Sequence, residues 1–500
     1  MEQGSVWLAT AELPRHPALA ADLEVDVAVV GGGLVGLTTA LLVARDGARV
    51  AVLEAAGIGA GTSGRTTGKV TSQHGLIYAD LADRHGGDVA RGYAEANQEG
   101  LAKVAELAGQ LPVDCEDSRL PAFAYAVRPE GRERIAAEVL AAQQAGLPAT
   151  GTTDVPLPFP VSAAIRFDDQ LLIHPGRYLA GLAGAVSAAG GMIFDGTRIG
   201  EFDKRGNDGV RLTAVNGVRV HADRAVLATL LPPGLVGGYF ARTRPTRSYA
   251  LAVTLRGPAP EAMTISVDDT PTRSLRPWRS DGLIVVGNDH EPGAEADTEA
   301  GYRDLETWAR ANFDVVSVDH RWAAQDYRTP DRLPYVGRTP FSSRILTATG
   351  FAKWGLSSGT AAALVLADLI AGRPGRPWQS IFDATRIGDA ASVGRLIKDN
   401  LSVGTEFVGG RFGAAGDPAD LAPGRGGLIM LDGNRLGGYR DPGGTLHAVT
   451  PTCTHLGCPL HWNQADTSWD CRCHGSRFDA DGAVLEGPAV EPLARHEPAE

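Results

Sequence analysis

The chain has 500 residues, 43% of them hydrophobic and 21% charged, with a formal net charge of −12. That length asks for two or three domains, and the acidic balance argues against a nucleic-acid surface or partner. The start, MEQGSVWLATAELPRHP, has no apolar h-region, twin Arg or basic opening. No uncharged apolar run reaches the ~18 residues of a membrane span, so a cytoplasmic location with no membrane span is the expectation.

The first motif lies in residues 24–55, EVDVAVVGGGLVGLTTALLVARDGARVAVLEA. The β-branched run Val25–Val30 predicts a buried parallel strand. Gly31, Gly33 and Gly36 follow as G-x-G-x-x-G, for a tight turn, a close approach of backbone to pyrophosphate, and helix-on-strand packing. A helix from Leu34 to about Asp46 turns its N-terminal N–H groups toward the phosphates. The strand Arg49–Leu53 ends at Glu54, placed for ribose hydroxyls. The motif alone leaves FAD and NAD open. The next loop, residues 57–75, is rich in Gly, Ser and Thr. It suits a second wrap around a dinucleotide, with Arg65 and Lys69 to neutralise phosphate. No second G-x-G-x-x-G stands in a strand–helix context, which disfavours the two-dinucleotide layout of NAD(P)H-dependent flavin reductases.

Residues 81–147 read as mostly helical, and 246–288 as short β-like runs separated by turns. Tyr249, Arg276, Trp278 and His74 are candidate pocket residues. Arg276 reads as a carboxylate clamp or, the favoured reading, as a structural or solvated arginine. Cys115 reads as a buried free thiol. A strand at 345–348, Gly350, a glycine-broken loop and an apolar helix from about Ser358 form a third dinucleotide-facing piece.

This order, over roughly residues 20–375, resembles the D-amino-acid oxidase and glycine oxidase family of FAD enzymes, and HPGRYLAGLAGAVSAAGGMI (174–193) is similar to its mid-chain helix. The resemblance implies an α/β, Rossmann-like FAD-binding domain with an antiparallel β substrate domain. It implies FAD contacts at Gly31, Gly33, Gly36, Glu54, Ser63, Arg65, Gly68 and Lys69, completed by Gly350, Gly355 and Ser358. Lys353 and Trp354 would lie near the isoalloxazine ring. Relatives that attach flavin covalently use an early His or a late Cys. Arg65 stands at the aligned early position and no Cys lies between 116 and 452. Non-covalent FAD is therefore expected, with His74 the nearby exception. IGDAAS (387–392) is similar to a flavin-hydroxylase motif but reads as a polar helix start.

A helix to about Leu401 and the Gly/Pro/Ala-rich stretch after it mark a boundary near 400–425. The last segment holds Cys-x-His-x-x-Cys (453–458) and Cys-x-Cys-His-x-Ser (471–476). Zinc pairs want C-x₂₋₄-C, a spacing that Cys453–Cys458 has and Cys471–Cys473 lacks, and thiol–disulfide sites want C-x-x-C, which neither box has. The boxes resemble those of Rieske [2Fe–2S] proteins, which bind one iron by two Cys and the other by two His. The resemblance implies a small all-β domain with Cys453, His455, Cys471 and His474 as ligands and a Cys458–Cys473 disulfide. Ser476 would hydrogen-bond a cluster sulfur, and residues 487–489 would shield the cluster. Arg472 stands where many relatives have Pro. Phe478 stands where high-potential members have a hydrogen-bonding Tyr, which implies a low potential. His461 reads as an exposed bystander.

The organisation expected is an FAD-dependent oxidoreductase domain over 1–375, with FAD-binding parts near 20–80, 150–235 and 320–375 and substrate parts near 81–149 and 236–319. A linker with a helix over 376–415 and a Rieske domain over 416–500 complete it. The function implied is oxidation of a small amine- or amino-acid-like substrate by hydride transfer to flavin, the cluster passing electrons singly to an external acceptor protein. The alternatives are the reverse flow, from a donor protein through the cluster to flavin, and a redox carrier or sensor without turnover. No His/His/Asp set suggests the mononuclear iron of Rieske oxygenases.

Overall fold

The computed structural model describes residues 1–204, 209–269, 271–294, 297–340, 342–387 and 415–497. IGDAAS from residue 388 on, the expected helix to Leu401 and most of the expected linker lie outside these residues.

Strand Leu23–Val30 runs at the centre of an eight-stranded sheet. It pairs in parallel with Val50–Leu53 on one side and Arg219–Leu227 on the other. Burial of Val27, Ala28, Val29 and Val30 on both faces explains the unbroken apolar run. Helix Leu34–Arg45 follows the glycine turn. A Cβ at Gly36 would lie 1.9 Å from the Gly31 carbonyl oxygen, so only glycine lets the helix close on the strand. Strand Ile345–Thr349 pairs in parallel with Arg219–Leu227 and leads to helix Ser357–Ala371.

The second layer is a ten-stranded, mostly antiparallel sheet. It includes Arg244–Leu255, Met263–Ser266, Arg273–Arg279, Gly282–His290 and Val315–Arg328. Region 81–147 holds helices Gly87–Gln110 and Arg132–Gln144, and between them Ser118–Ala126 joins this sheet as a strand. A helical reading missed that strand because its tail is buried, apolar and without clear alternation.

Residues 415–497 form two four-stranded antiparallel sheets. One contains Arg425–Leu431, Asn434–Arg440 and Leu446–Val449. The other contains Leu460–Asn463, Ser468–Cys471, Arg477–Asp479 and Val484–Glu486. Their shared core packs Val449, Leu460, Trp469, Phe478 and Leu493 against four cysteines. Gln3 donates to the Ala465 carbonyl and Ala465 N–H to Thr298, so the module is stitched to the larger body away from the cysteines as well.

Candidate functional site

A cavity of about 460 Å³ lies between the two large sheets and is closed by the C-terminal module. The expected residues that line it are Gly31, Gly33, Glu54, Ser63, Arg65, Lys69, Lys353, Trp354 and Gly355. Glu54 accepts the N–H groups of Gly32 (2.6 Å) and Ala56 (2.8 Å), and burial pushes its carboxyl up against those two bonds. Ser63 Oγ accepts the Leu34 N–H at 3.0 Å, at the N-terminus of the first long helix. Gly31, at φ +109°, passes so near Ala228 that a Cβ would lie 2.5 Å from its carbonyl oxygen. The buried Thr246 Oγ1 and Gln325 Oε1 have no protein partner, and both residues line the cavity. Orphaned polar atoms beside a glycine cradle fit a polar dinucleotide cofactor.

The other expected residues lie outside the lining. Gly36 serves the helix–strand contact. Gly68, at φ +78°, packs against Arg276 and the Ile173 carbonyl. Gly350, at φ +82°, packs on Thr329. Ser358 Oγ is bonded to Asn97 at 2.8 Å. His74 stacks on Trp354 at 4.3 Å, with Nδ1 2.7 Å from Tyr93 Oη and Nε2 2.7 Å from the Thr71 carbonyl. Burial lowers its pKa to about 3. Arg276 donates to the carbonyls of Pro277, Thr67 and Ile173 and lies over Trp7, the structural role of the two readings. Tyr249 stacks on His290 and Trp278 packs on Trp7. Cys115 is a buried free thiol whose pKa burial raises to about 11.

Several polar groups that the sequence did not single out partner two lysines that it did. Lys353 pairs with Asp289, which also accepts from Ser248 Oγ at 2.7 Å. Asp326 accepts the N–H of Lys353 at 2.5 Å and of Tyr327 at 2.7 Å, and burial raises its pKa to about 6. The bond to Lys353 matters because Ala352 and Lys353 both have positive φ, +50° and +79°, which non-glycine residues rarely adopt. Lys69 is buried and donates to the Thr264 carbonyl (2.9 Å) and Ser274 Oγ (2.6 Å). The last wall belongs to the C-terminal module: Arg477 and residues 484–487, 489 and 490. Arg477 meets Asp470 (2.9 Å), Asp466 (3.0 Å) and Glu486 (3.3 Å). Arg247 reaches Asp466 at 2.5 Å, and Arg65 reaches Glu486 at 3.6 Å.

The two cysteine boxes are twin loops. In one, Cys453 N–H donates to the Cys458 carbonyl and Gly457 N–H to that of Cys453. In the other, Cys471 N–H donates to the Ser476 carbonyl and Gly475 N–H to that of Cys471. A disulfide joins Cys458 to Cys473, leaving Cys453 and Cys471 as buried free thiols. They act on each other. Cys453 is lowered to about 7, first by the Cys471 thiol, and Cys471 is pushed up by Cys453 and by burial. The His455 and His474 rings lie 5.2 Å apart at 90°. His455 Nε2 is 3.1 Å from the Gly234 carbonyl, which only accepts. Nε2 therefore carries the proton, leaving the Nδ1 lone pair for a metal. Burial holds both imidazoles neutral, with His474 lowered to about 3. Two thiols and two neutral imidazoles are the donor set of a Cys₂His₂-ligated [2Fe–2S] centre.

Fold and donor set together define a flavoprotein oxidoreductase carrying an iron–sulfur module. The chain belongs to the FAD dependent oxidoreductase family, whose model matches residues 26–369, and it carries a Rieske [2Fe-2S] domain over residues 413–497. Its cofactors are FAD and a [2Fe–2S] cluster. It is 34% identical to the Rieske 2Fe-2S iron-sulfur protein YhfW of Bacillus subtilis (strain 168), over 97% of this chain and 96% of that one. In fold it is similar to glycine oxidase from Geobacillus kaustophilus, with a TM-score of 0.62, 18% identity, and 73% of this chain and 100% of that chain covered. It is likewise similar to L-amino acid deaminase from Proteus myxofaciens, with a TM-score of 0.61, 16% identity, and 76% and 97% covered. Among the described residues no helix is long and apolar enough to cross a membrane.

Proposed function

We propose that this chain oxidises a small amine- or amino-acid-like substrate and delivers the electrons singly, through its cluster, to an external acceptor protein. The observation that carries this reading is the shared wall: Arg477 and Glu486 of the Rieske module line the same cavity as Gly31, Glu54 and Lys353. When bound, FAD supplies a two-electron hydride acceptor and the cluster a one-electron centre. One chain holding both raises their effective concentration for each other.

We assign the cluster ligands as Cys453, Cys471, His455 and His474, and the FAD as non-covalent, in a cradle of Gly31, Gly33, Glu54 and Ser63. Thr246, Ser248, Ser274 and Asp289 offer polar groups along one wall, while Ala250, Ile265, Val286 and Trp354 keep that wall apolar between them. Those groups orient a small substrate and exclude water. The carboxylate end of an amino-acid-like substrate would meet Lys69 or Lys353, since Arg276 is committed to backbone carbonyls. The substrate class is taken from glycine oxidase and L-amino acid deaminase, which are similar to this chain in fold.

The test is anaerobic mixing of the full chain with a panel of amines and amino acids. Flavin bleaching followed by the reduced-cluster EPR signal is expected. Reduction of the cluster by an added reductase alone, with flavin following, would reverse the proposed direction.

A further inference from the structure

Tyr327 spans the ground between the two centres. It lines the flavin cavity and is almost wholly buried. Its hydroxyl donates toward the His474 carbonyl at 3.0 Å and lies 3.4 Å from that of Gly487. Gln325, also in the lining, donates from Nε2 to Tyr327 Oη (3.1 Å) and to the Gly475 carbonyl (2.8 Å). Two neighbours on one strand thus hold the peptide groups of a cluster-ligand loop. The fit leaves no slack. A Cβ at Gly475, whose φ is +81°, would lie 2.7 Å from Gln325 Nε2 and 2.8 Å from Tyr327 Oη.

The other edge of the cluster pocket is held too. His455 Nε2 donates to the Gly234 carbonyl, and Gly234 N–H donates back to the Pro488 carbonyl at 2.8 Å. Phe240 sets its ring 5.0 Å from each imidazole, edge-on. Releasing the module would break these contacts and separate Arg65 and Arg247 from Glu486 and Asp466.

We infer that the Rieske module works while docked, and that Tyr327 with Gln325 positions the His474 loop against the flavin cavity so that electrons cross there within one chain. This rests on the proposed presence of electron exchange between the two centres, not on the substrate. Oxidation of one substrate molecule releases two electrons, and the protons leave to solvent. The cluster that Cys453, Cys471, His455 and His474 would hold would take the electrons one at a time, each reducing one Fe³⁺ to Fe²⁺. Each then leaves to a one-electron carrier protein with an iron or flavin centre. Tyr327 is a positioning residue and is not itself oxidised. The imidazole edge is turned toward residues 234–240 of the same chain, so the outside carrier docks on another face of the module.

The experiment uses the full chain with both cofactors, under anaerobic photoreduction of the flavin without substrate, and follows cluster reduction by absorbance and EPR. The wild type should show a first-order phase whose rate does not depend on protein concentration. Tyr327→Phe should slow it about fivefold, the fold-change of one net hydrogen bond, with the cluster's g-values and midpoint potential unchanged. Gln325→Ala should slow it as well, both variants being compared with the wild type at equal flavin and cluster content. A rate that scales with protein concentration overturns the inference, as does a wild-type rate in both variants. Fast cluster reduction in a protein whose flavin no amine or amino acid bleaches removes the substrate reading and leaves this one standing.

Discussion

The cluster pocket and the flavin cavity are built on opposite plans. The pocket takes all its soft donors from two loops, residues 453–458 and 471–476, each closed by its own hydrogen bonds and joined by one disulfide. The cavity takes its wall from residues between 30 and 490, including the module that holds the cluster. A site made of adjacent loops keeps its geometry wherever the module goes. A site made across layers keeps it only while the layers stay packed. The flavin site therefore depends on the Rieske module structurally, beyond any exchange of electrons.

Arg477→Met tests that dependence with the largest effect. Arg477 is buried, and although burial opposes its charge, Asp470, Glu486 and Asp466 together hold its pKa above the ordinary arginine value. Removing it leaves acids such as the fully buried Asp470 without their main counter-charge. Breaking one partner of a buried pair costs about 3–5 kcal/mol. A lower melting temperature and earlier FAD release should appear together. Adding Asp470→Leu should recover part of the loss, because an apolar replacement removes the stranded charge. A Rieske module that melts early while FAD retention stays at the wild-type level would separate the two sites and break the comparison.

Phe478→Tyr probes the self-contained site. Phe478 is fully buried among the four cysteines and faces Trp469 across the strand pair. Its ring donates no hydrogen bond, so the native potential should fall in the lower part of the ~ −150 to +300 mV Rieske range. A tyrosine hydroxyl reaching a ligand sulfur should raise it by about 40 mV, the equivalent of a hydrogen bond worth about 1 kcal/mol for one electron. EPR-monitored redox titration of both proteins decides it. A native value near the top of the range, or no rise in the variant, would mean that other groups set the potential.

The same contrast governs what could be read from the sequence. The strand–glycine turn–helix–strand unit and the two cysteine boxes carry their signatures in a few neighbouring residues, so the resemblance to two families, and with it FAD and the cluster, was legible there. The substrate wall has no such local signature. Thr246, Ser248 and Ala250 line the cavity at a period of two, while Arg247, Tyr249 and Leu251 point to the opposite face of the strand. Tyr249, a candidate pocket residue, sits on that opposite face, and the run of small residues was the available signal. Arg276 shares a face with Ser274 but lies beneath Thr67 and Ile173, whose carbonyls take its guanidinium. That burial depends on the pairing of distant segments. Gln325, Tyr327 and Glu486 were illegible for the same reason: each acts across an interface between segments far apart in sequence.

The smallest effect expected is a slope. Burial first, then the nearby Arg276, lowers the Lys69 pKa from 10.5 to about 7. Between those two values the unfolded chain keeps a proton that the folded chain has released. Stability contributed by this group therefore rises with pH across that window, and below about 7 the buried cation is a constant penalty. Lys69→Met removes the titration while keeping a side chain of similar length. The melting temperature of the wild type minus that of the variant should grow from pH 7 to pH 9, measured at equal cofactor content. A flat difference would mean that an anion in the cavity holds the ammonium charged throughout. The charge state of the flavin cavity would then be set by what it binds, as metal binding sets that of the thiols in the cluster pocket.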